Sequence, residues 1–111
     1  ISVGTAHGLY KGAPKIHFDI LKKINELVSI PLVLHGCSGV PEGDIVLAVK
    51  CGISKINIAT DIKTVFAGQL KSFFISTPTE PDPRKYFDPA IKSVKEVVKS
   101  KIRMAGSVSK A

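Results

Sequence analysis

Two histidines stand out because each closes an apolar run and is followed at once by glycine: His7 before Gly8, and His35 before Gly36. Imidazole is the commonest protein ligand for zinc, and a neighbouring glycine lets a ligand approach the backbone closely. Hydrogen-bonded histidines at the rim of a core would carry the same pattern. Gly36-Cys37-Ser38-Gly39 precedes a predicted helix, where unpaired N–H groups and the helix dipole suit a phosphate. A capped βα turn uses the same residue types. In Asn57-Ile58-Ala59-Thr60-Asp61, Asn57 and Thr60 bracket the next helix start, where their side chains could hold phosphate or polarise a carbonyl. Thr60 would serve equally as an N-cap. Cys37 reads as a small filler rather than a nucleophile, since no base lies close to it in sequence. His17, Asp61, Lys55 and Lys11 read as surface groups.

The elements that must position these clusters alternate. Residues 1–6 end an extended segment, and Phe18, Leu21, Ile24, Leu27 and Val28 follow helical spacing after the punctuation of Gly12 and Pro14. Residues 31–35 make a short apolar strand, as expected for one buried on both faces. A helix runs from about Pro41 to a stop at Gly52, and residues 53–58 alternate as a strand. Thr60 or Asp61 can cap a third helix whose buried stripe is Ile62, Val65, Phe66, Leu70 and Phe73. After an irregular stretch over 76–83, Asp88-Pro89 is expected to start the last helix, which reaches about Met104. The order β-α-β-α-β-α-α implies parallel strands and an α/β fold. Each cluster then stands at the end of a strand, where such folds collect their functional groups. Three parallel strands leave two open edges. The sheet is therefore expected to continue in a larger sheet or barrel, an expectation that the apolar opening at Ile1 supports. No linker or low-complexity tract divides residues 1–111.

Composition excludes several classes. With 44% hydrophobic and 23% charged residues the chain is not disordered, and no apolar run approaches the roughly 18 residues of a membrane span. No basic-then-apolar leader opens the chain. Cys37 and Cys51 form neither a CxxC nor a disulfide framework, so a reducing, cytoplasmic compartment is expected. The net charge of +7 is uneven: residues 1–83 carry eight Lys or Arg against seven Asp or Glu, and residues 84–111 carry eight against two. Lys92, Lys95, Lys99 and Arg103 recur at helical spacing opposite Ile91, Val94, Val98 and Ile102, which is the pattern of a solvated helix face. No aromatic residues alternate with these bases to stack on nucleotides, so nucleic acid is not the expected partner.

Beyond the residues taken singly, GTAHGLYKGAPKIHFD (4–19), IPLVLHGCSGVPEGDI (30–45) and GISKINIATDIKTVFAG (52–68) resemble the C-terminal half of class II, zinc-dependent ketose-bisphosphate aldolases. DPRKYF (82–87) and KEVVKSKIRMAGS (95–107) extend the resemblance to the whole chain. NIAT resembles the tagatose-bisphosphate branch more than the fructose-bisphosphate branch. The resemblance implies the last part of a (β/α)8 barrel, about three βα units and a terminal helix. It implies that His7 and His35 are two of three zinc-ligating histidines. Gly8, Gly36, Cys37 and Ser38 would line the site for the phosphate of dihydroxyacetone phosphate and a nearby monovalent cation, sodium or potassium. Asn57, Ile58, Ala59 and Thr60 would continue that site, with Asn57 also a catalytic residue near the reacting carbons. Arg84 would reach the far phosphate, in some members across a subunit boundary, where its fork binds phosphate in two places. The implied reaction is reversible aldol cleavage of tagatose or fructose 1,6-bisphosphate to dihydroxyacetone phosphate and glyceraldehyde 3-phosphate, with zinc as Lewis acid and a carboxylate moving protons. The third histidine and that carboxylate belong to the family's N-terminal half. The chain alone is thus expected to be inactive, and a homo-oligomer, dimer or tetramer, is expected of the complete protein. A non-catalytic phosphosugar-binding barrel fragment is the alternative, and an RNA-associated role for the basic tail a weaker one.

Overall fold

The computed structural model describes residues 3–6, 8, 12 and 14–110. Its elements are α1 (Phe18–Leu27), β1 (Leu32–Leu34), α2 (Glu42–Lys50), β2 (Ile53–Ile56), α3 (Thr60–Ser76) and α4 (Pro83–Met104). The strands pair in parallel, with Leu32 opposite Ile53 and Leu34 opposite Ile56. Leu34 from β1, Ile45 and Ala48 from one face of α2, Leu21 from α1 and Met104 from α4 fill one core. Helix α2 stops where expected, because Gly52 takes φ +104° and a side chain there would collide with that of Asn25. No helix among the described residues is long and apolar enough to cross a membrane.

Two expectations are corrected. Residues 3–6 do not form the first of three strands; among the described residues the sheet has two. The Val3 carbonyl accepts the His17 N–H at 2.8 Å, and Gly4 bends the chain at φ +103°. A ladder would need that carbonyl and a straighter backbone. The segment still lies beside the end of β1, since a Cβ on Gly36 would strike the Ala6 carbonyl. The last helix starts at Pro83, and Pro89 lies inside it. The sequence holds two Asp-Pro starts and the outer one is used. The Asp82 carboxylate accepts the Arg84 N–H at 3.0 Å, and Pro83 presets the first helical φ. Pro89 removes one ladder donor, but the earlier start brings Tyr86 and Phe87 against α3.

Helices α3 and α4 form an antiparallel hairpin. At one end Lys101 pairs with Asp61 at 2.7 Å. Further out, the Phe66 and Phe87 ring centroids are 5.9 Å apart, and those of Phe74 and Tyr86 are 5.0 Å apart. The expected stripe on α3 faces its partner but is only half-buried along its length, because one neighbouring helix cannot enclose it. On α4, Ile91 and Ile102 stay 57% and 43% exposed, while Lys92, Lys95 and Arg103 are exposed as expected.

The carboxyls around the start of α4 titrate low. The Arg84 side chain, then the Arg84 N–H, holds Asp82 below its ordinary value, and Lys85 does the same for Glu80. A carboxyl depressed in the folded state stabilises it fully above the unfolded pKa, and that contribution is lost as pH falls through the folded pKa. Acidification from pH 6 to below about pH 3 is therefore expected to fray the first turn of α4 before its centre. Amide protection at Arg84 should drop earlier than at Val94, and parallel loss at both would contradict the assignment.

Candidate functional site

The parallel register brings the ends of β1 and β2 side by side, and with them the second and third sequence clusters. The Asn57 N–H donates to the Leu34 carbonyl at 3.0 Å, and the Cys37 N–H donates to the Asn57 carbonyl at 3.3 Å. These bonds extend the strand pairing past the last formal ladder residue. Above them lies a cleft of about 600 Å³ lined by His35, Gly36 and Ser38 on one side and Asn57, Ala59 and Thr60 on the other. Gly8 and Ile58 also line it, as does Lys63.

His35 and Asn57 meet across the cleft floor, His35 Nδ1 to Asn57 Nδ2 at 3.1 Å. An amide nitrogen only donates, so in this contact His35 Nδ1 accepts and the proton of a neutral ring sits on Nε2. With its amide turned over, Asn57 would accept an Nδ1–H and leave Nε2 as the acceptor nitrogen, the outer-shell arrangement of a metal-binding histidine. His7, the second expected ligand, lies outside the described residues, and among the described residues no three His, Cys, Asp or Glu gather into a metal-binding group.

Ser38 links the two halves. Its hydroxyl oxygen accepts from the Asp61 N–H at 3.2 Å and from the Ala59 N–H at a longer 3.4 Å. These are two of the N–H groups that precede the α3 ladder. Neither Thr60 nor Asp61 caps α3, which has no side-chain cap of its own. The cap comes from the preceding βα turn instead. A hydroxyl has two acceptor lone pairs and one proton, so a Ser38 that accepts twice can meet a further group only as donor.

Cys37 is not in the cleft. Its side chain is wholly buried beneath it, and the thiol donates to the Leu34 carbonyl at 3.2 Å. Burial pushes the thiol pKa up, against a smaller lowering from the Asn57 backbone and the Lys101 charge. A protonated, enclosed thiol is filler, as its sequence context suggests, and only its backbone could reach a ligand.

Arg84 stands apart. Its side chain is 87% exposed and forks onto the Asp82 carboxylate, with its closest contact at 2.8 Å. Because Lys101 marks the cleft end of α4, the helical rise puts Arg84 about 25 Å away from it. The chain's own fold does not bring Arg84 to the cleft. Lys63 is the lining residue that the sequence reading passed over. Its signal was its place three residues after Thr60, on the same helix face.

Comparisons with known proteins bear on the family and on the fold that carries this cleft. The family model for class II fructose-bisphosphate aldolase matches residues 1–110. The chain belongs to the class II fructose-bisphosphate aldolase family. The YdjI aldolase of Escherichia coli K12 is similar at 34% identity with a TM-score of 0.86, over 99% of this chain and 40% of that one. The fructose-bisphosphate aldolase Fba of Campylobacter jejuni shares the fold at 24% identity and a TM-score of 0.74, again over 99% and 40%. This aldolase-family chain thus spans about 40% of the length of both solved relatives. Its α/β architecture matches a C-terminal portion of an aldolase (β/α)8 barrel.

Ser38→Ala would leave the Ala59 and Asp61 amides without their acceptor in a site only 6% exposed at Ser38. The expected cost is about 1–3 kcal/mol in urea unfolding, with faster amide exchange confined to the first turn of α3. Unchanged exchange at Asp61 would show that the hydroxyl is not the cap.

Proposed function

We propose that this cleft is the phosphate- and zinc-binding half of a class II aldolase active site. The protein that completes it would split a ketose 1,6-bisphosphate, tagatose or fructose, reversibly into dihydroxyacetone phosphate and glyceraldehyde 3-phosphate. The observation that carries the reading is the convergence of His35, Ser38, Asn57 and Thr60 on one cleft at the ends of two parallel strands. Parallel α/β folds place their chemistry there.

In this reading His35 and His7 hold zinc together with a third histidine from outside these residues. Bound there, zinc would supply Lewis-acid charge that stabilises the dihydroxyacetone phosphate half as the carbon–carbon bond breaks. The chain's own groups bind and orient. Ser38 donates its hydroxyl proton to a phosphate oxygen, and the Thr60 N–H at the start of α3 adds a donor backed by the helix dipole. The Gly8 and Gly36 backbones let the phosphate come close, and a monovalent cation beside it offsets further charge. Asn57 both steadies His35 and presents its amide to the reacting carbons. A carboxylate outside these residues moves the proton to and from the aldehyde. Arg84, about 25 Å from its own cleft by helical rise, would serve the far phosphate of a neighbouring subunit in a homo-oligomer of the complete, cytoplasmic enzyme.

The test is metal content and cleavage in the complete protein. Wild type should hold about one zinc per subunit, and His35→Ala should lose most of it together with bisphosphate cleavage. Asn57→Ala should weaken zinc binding about 10- to 100-fold. If His35→Ala kept both zinc and activity, the ligand assignment would be wrong. A wild-type protein that bound the bisphosphate without zinc or cleavage would be a non-catalytic phosphosugar-binding barrel.

A further inference from the structure

We infer that Lys63 is the cationic arm that binds the phosphate in this cleft and sets its preference for phosphorylated over neutral ligands. The inference rests on the phosphate reading above and adds to it a residue and a charge. Lys63 lines the cleft together with Ser38, Asn57 and Thr60, and it is the one cation among the described lining residues. Among the described residues no carboxylate lines the cleft with it. The nearest acid in sequence, Asp61, is turned to the other side of α3, where Lys101 neutralises it at 2.7 Å. Asp61 and Lys101 there line a separate groove with Thr64 and Val97. The first turn of α3 thus sorts its charges by face, the Asp61–Lys101 ion pair on one side and the Lys63 ammonium on the cleft side.

Helix geometry aims that ammonium. Side chains lean toward the N-terminus of their helix, so Lys63 reaches back over the turn that holds Ala59 and Thr60. The Lys63 N–H closes the first ladder bond onto the Ala59 carbonyl at 3.0 Å, which fixes the register of that reach. Ser38 in turn holds the turn's backbone through Ala59 and Asp61. A phosphate seated on the Ser38 hydroxyl would therefore lie under a long, flexible cation. Exposed lysine needs no rearrangement of the core to close on it, and a point charge suits a phosphate that presents different oxygens during turnover.

The experiment is a titration of the complete protein with inorganic phosphate, followed by the amide signals of Ser38, Ala59, Thr60 and Asp61. Lys63→Met should weaken binding roughly three- to tenfold, the size expected for one solvent-accessible charge-assisted contact, and should flatten its salt dependence. Lys63→Arg should restore most of the affinity. Lys55→Met, which removes a lysine lining the groove behind β2, should leave binding within twofold of wild type. Equal affinity for wild type and Lys63→Met would overturn the inference while the phosphate reading stood. An equal loss in Lys55→Met would also overturn it, by showing only a general effect of net charge. If phosphate moved none of these amides in the wild type, the phosphate reading itself would fail, and the role of Lys63 with it.

Discussion

The Ser38 hydroxyl, accepting from the Ala59 and Asp61 N–H groups at the start of α3, ties together the two βα turns on which the cleft depends. Main-chain bonds between Cys37, Asn57 and Leu34 align the strand ends, but they stop short of the helix. Ser38 carries the alignment one step further, from strand to helix N-terminus. A short polar side chain at six per cent exposure is normally a cost to bury, and here it is repaid by two donors that would otherwise go unmet. With both lone pairs taken, the hydroxyl can meet a further group only by donating its proton.

The same anchoring explains why the helical hairpin matters to a site that it lines only through the first turn of α3. Asp61 donates its N–H to the Ser38 hydroxyl and pairs its carboxylate with Lys101, so one residue connects the cleft, α3 and the C-terminal end of α4. The aromatic contacts of Phe66, Phe73 and Phe74 with Tyr86 and Phe87 hold the hairpin at its outer end. Between these ends the apolar faces remain partly open, as at Ile91 and Val98. Half-buried faces of this kind are what a fold leaves when it spans 40% of its relatives' length and has one helix packed on one other.

Much of this was legible in the residues because it rests on local rules. The apolar run before His35, the stop at Gly52 and the stripe from Ile62 to Phe73 each encode their element directly. So did the placing of Gly36, Ser38, Asn57 and Thr60 at strand ends. Three features were not legible because they depend on contacts distant in sequence. The choice of Asp82-Pro83 over Asp88-Pro89 follows from aromatic packing against α3. The capping of α3 by Ser38 joins residues more than twenty positions apart. The bend at Gly4, which takes residues 3–6 out of the ladder, follows from the Val3–His17 bond. Lys63 was overlooked for a different reason: a lone lysine on a helix looks like solvated surface until the cleft beside it is seen.

The central claim is that the strand-end cleft holds the substrate's phosphate next to zinc. It is tested most directly by one crystal of the complete protein grown with zinc and dihydroxyacetone phosphate, with anomalous data collected at the zinc edge. A zinc peak at His35 is expected, with phosphate density within hydrogen-bonding distance of the Ser38 hydroxyl and the Thr60 N–H. Zinc bound away from His35, or a phosphate seated outside this cleft, would contradict it.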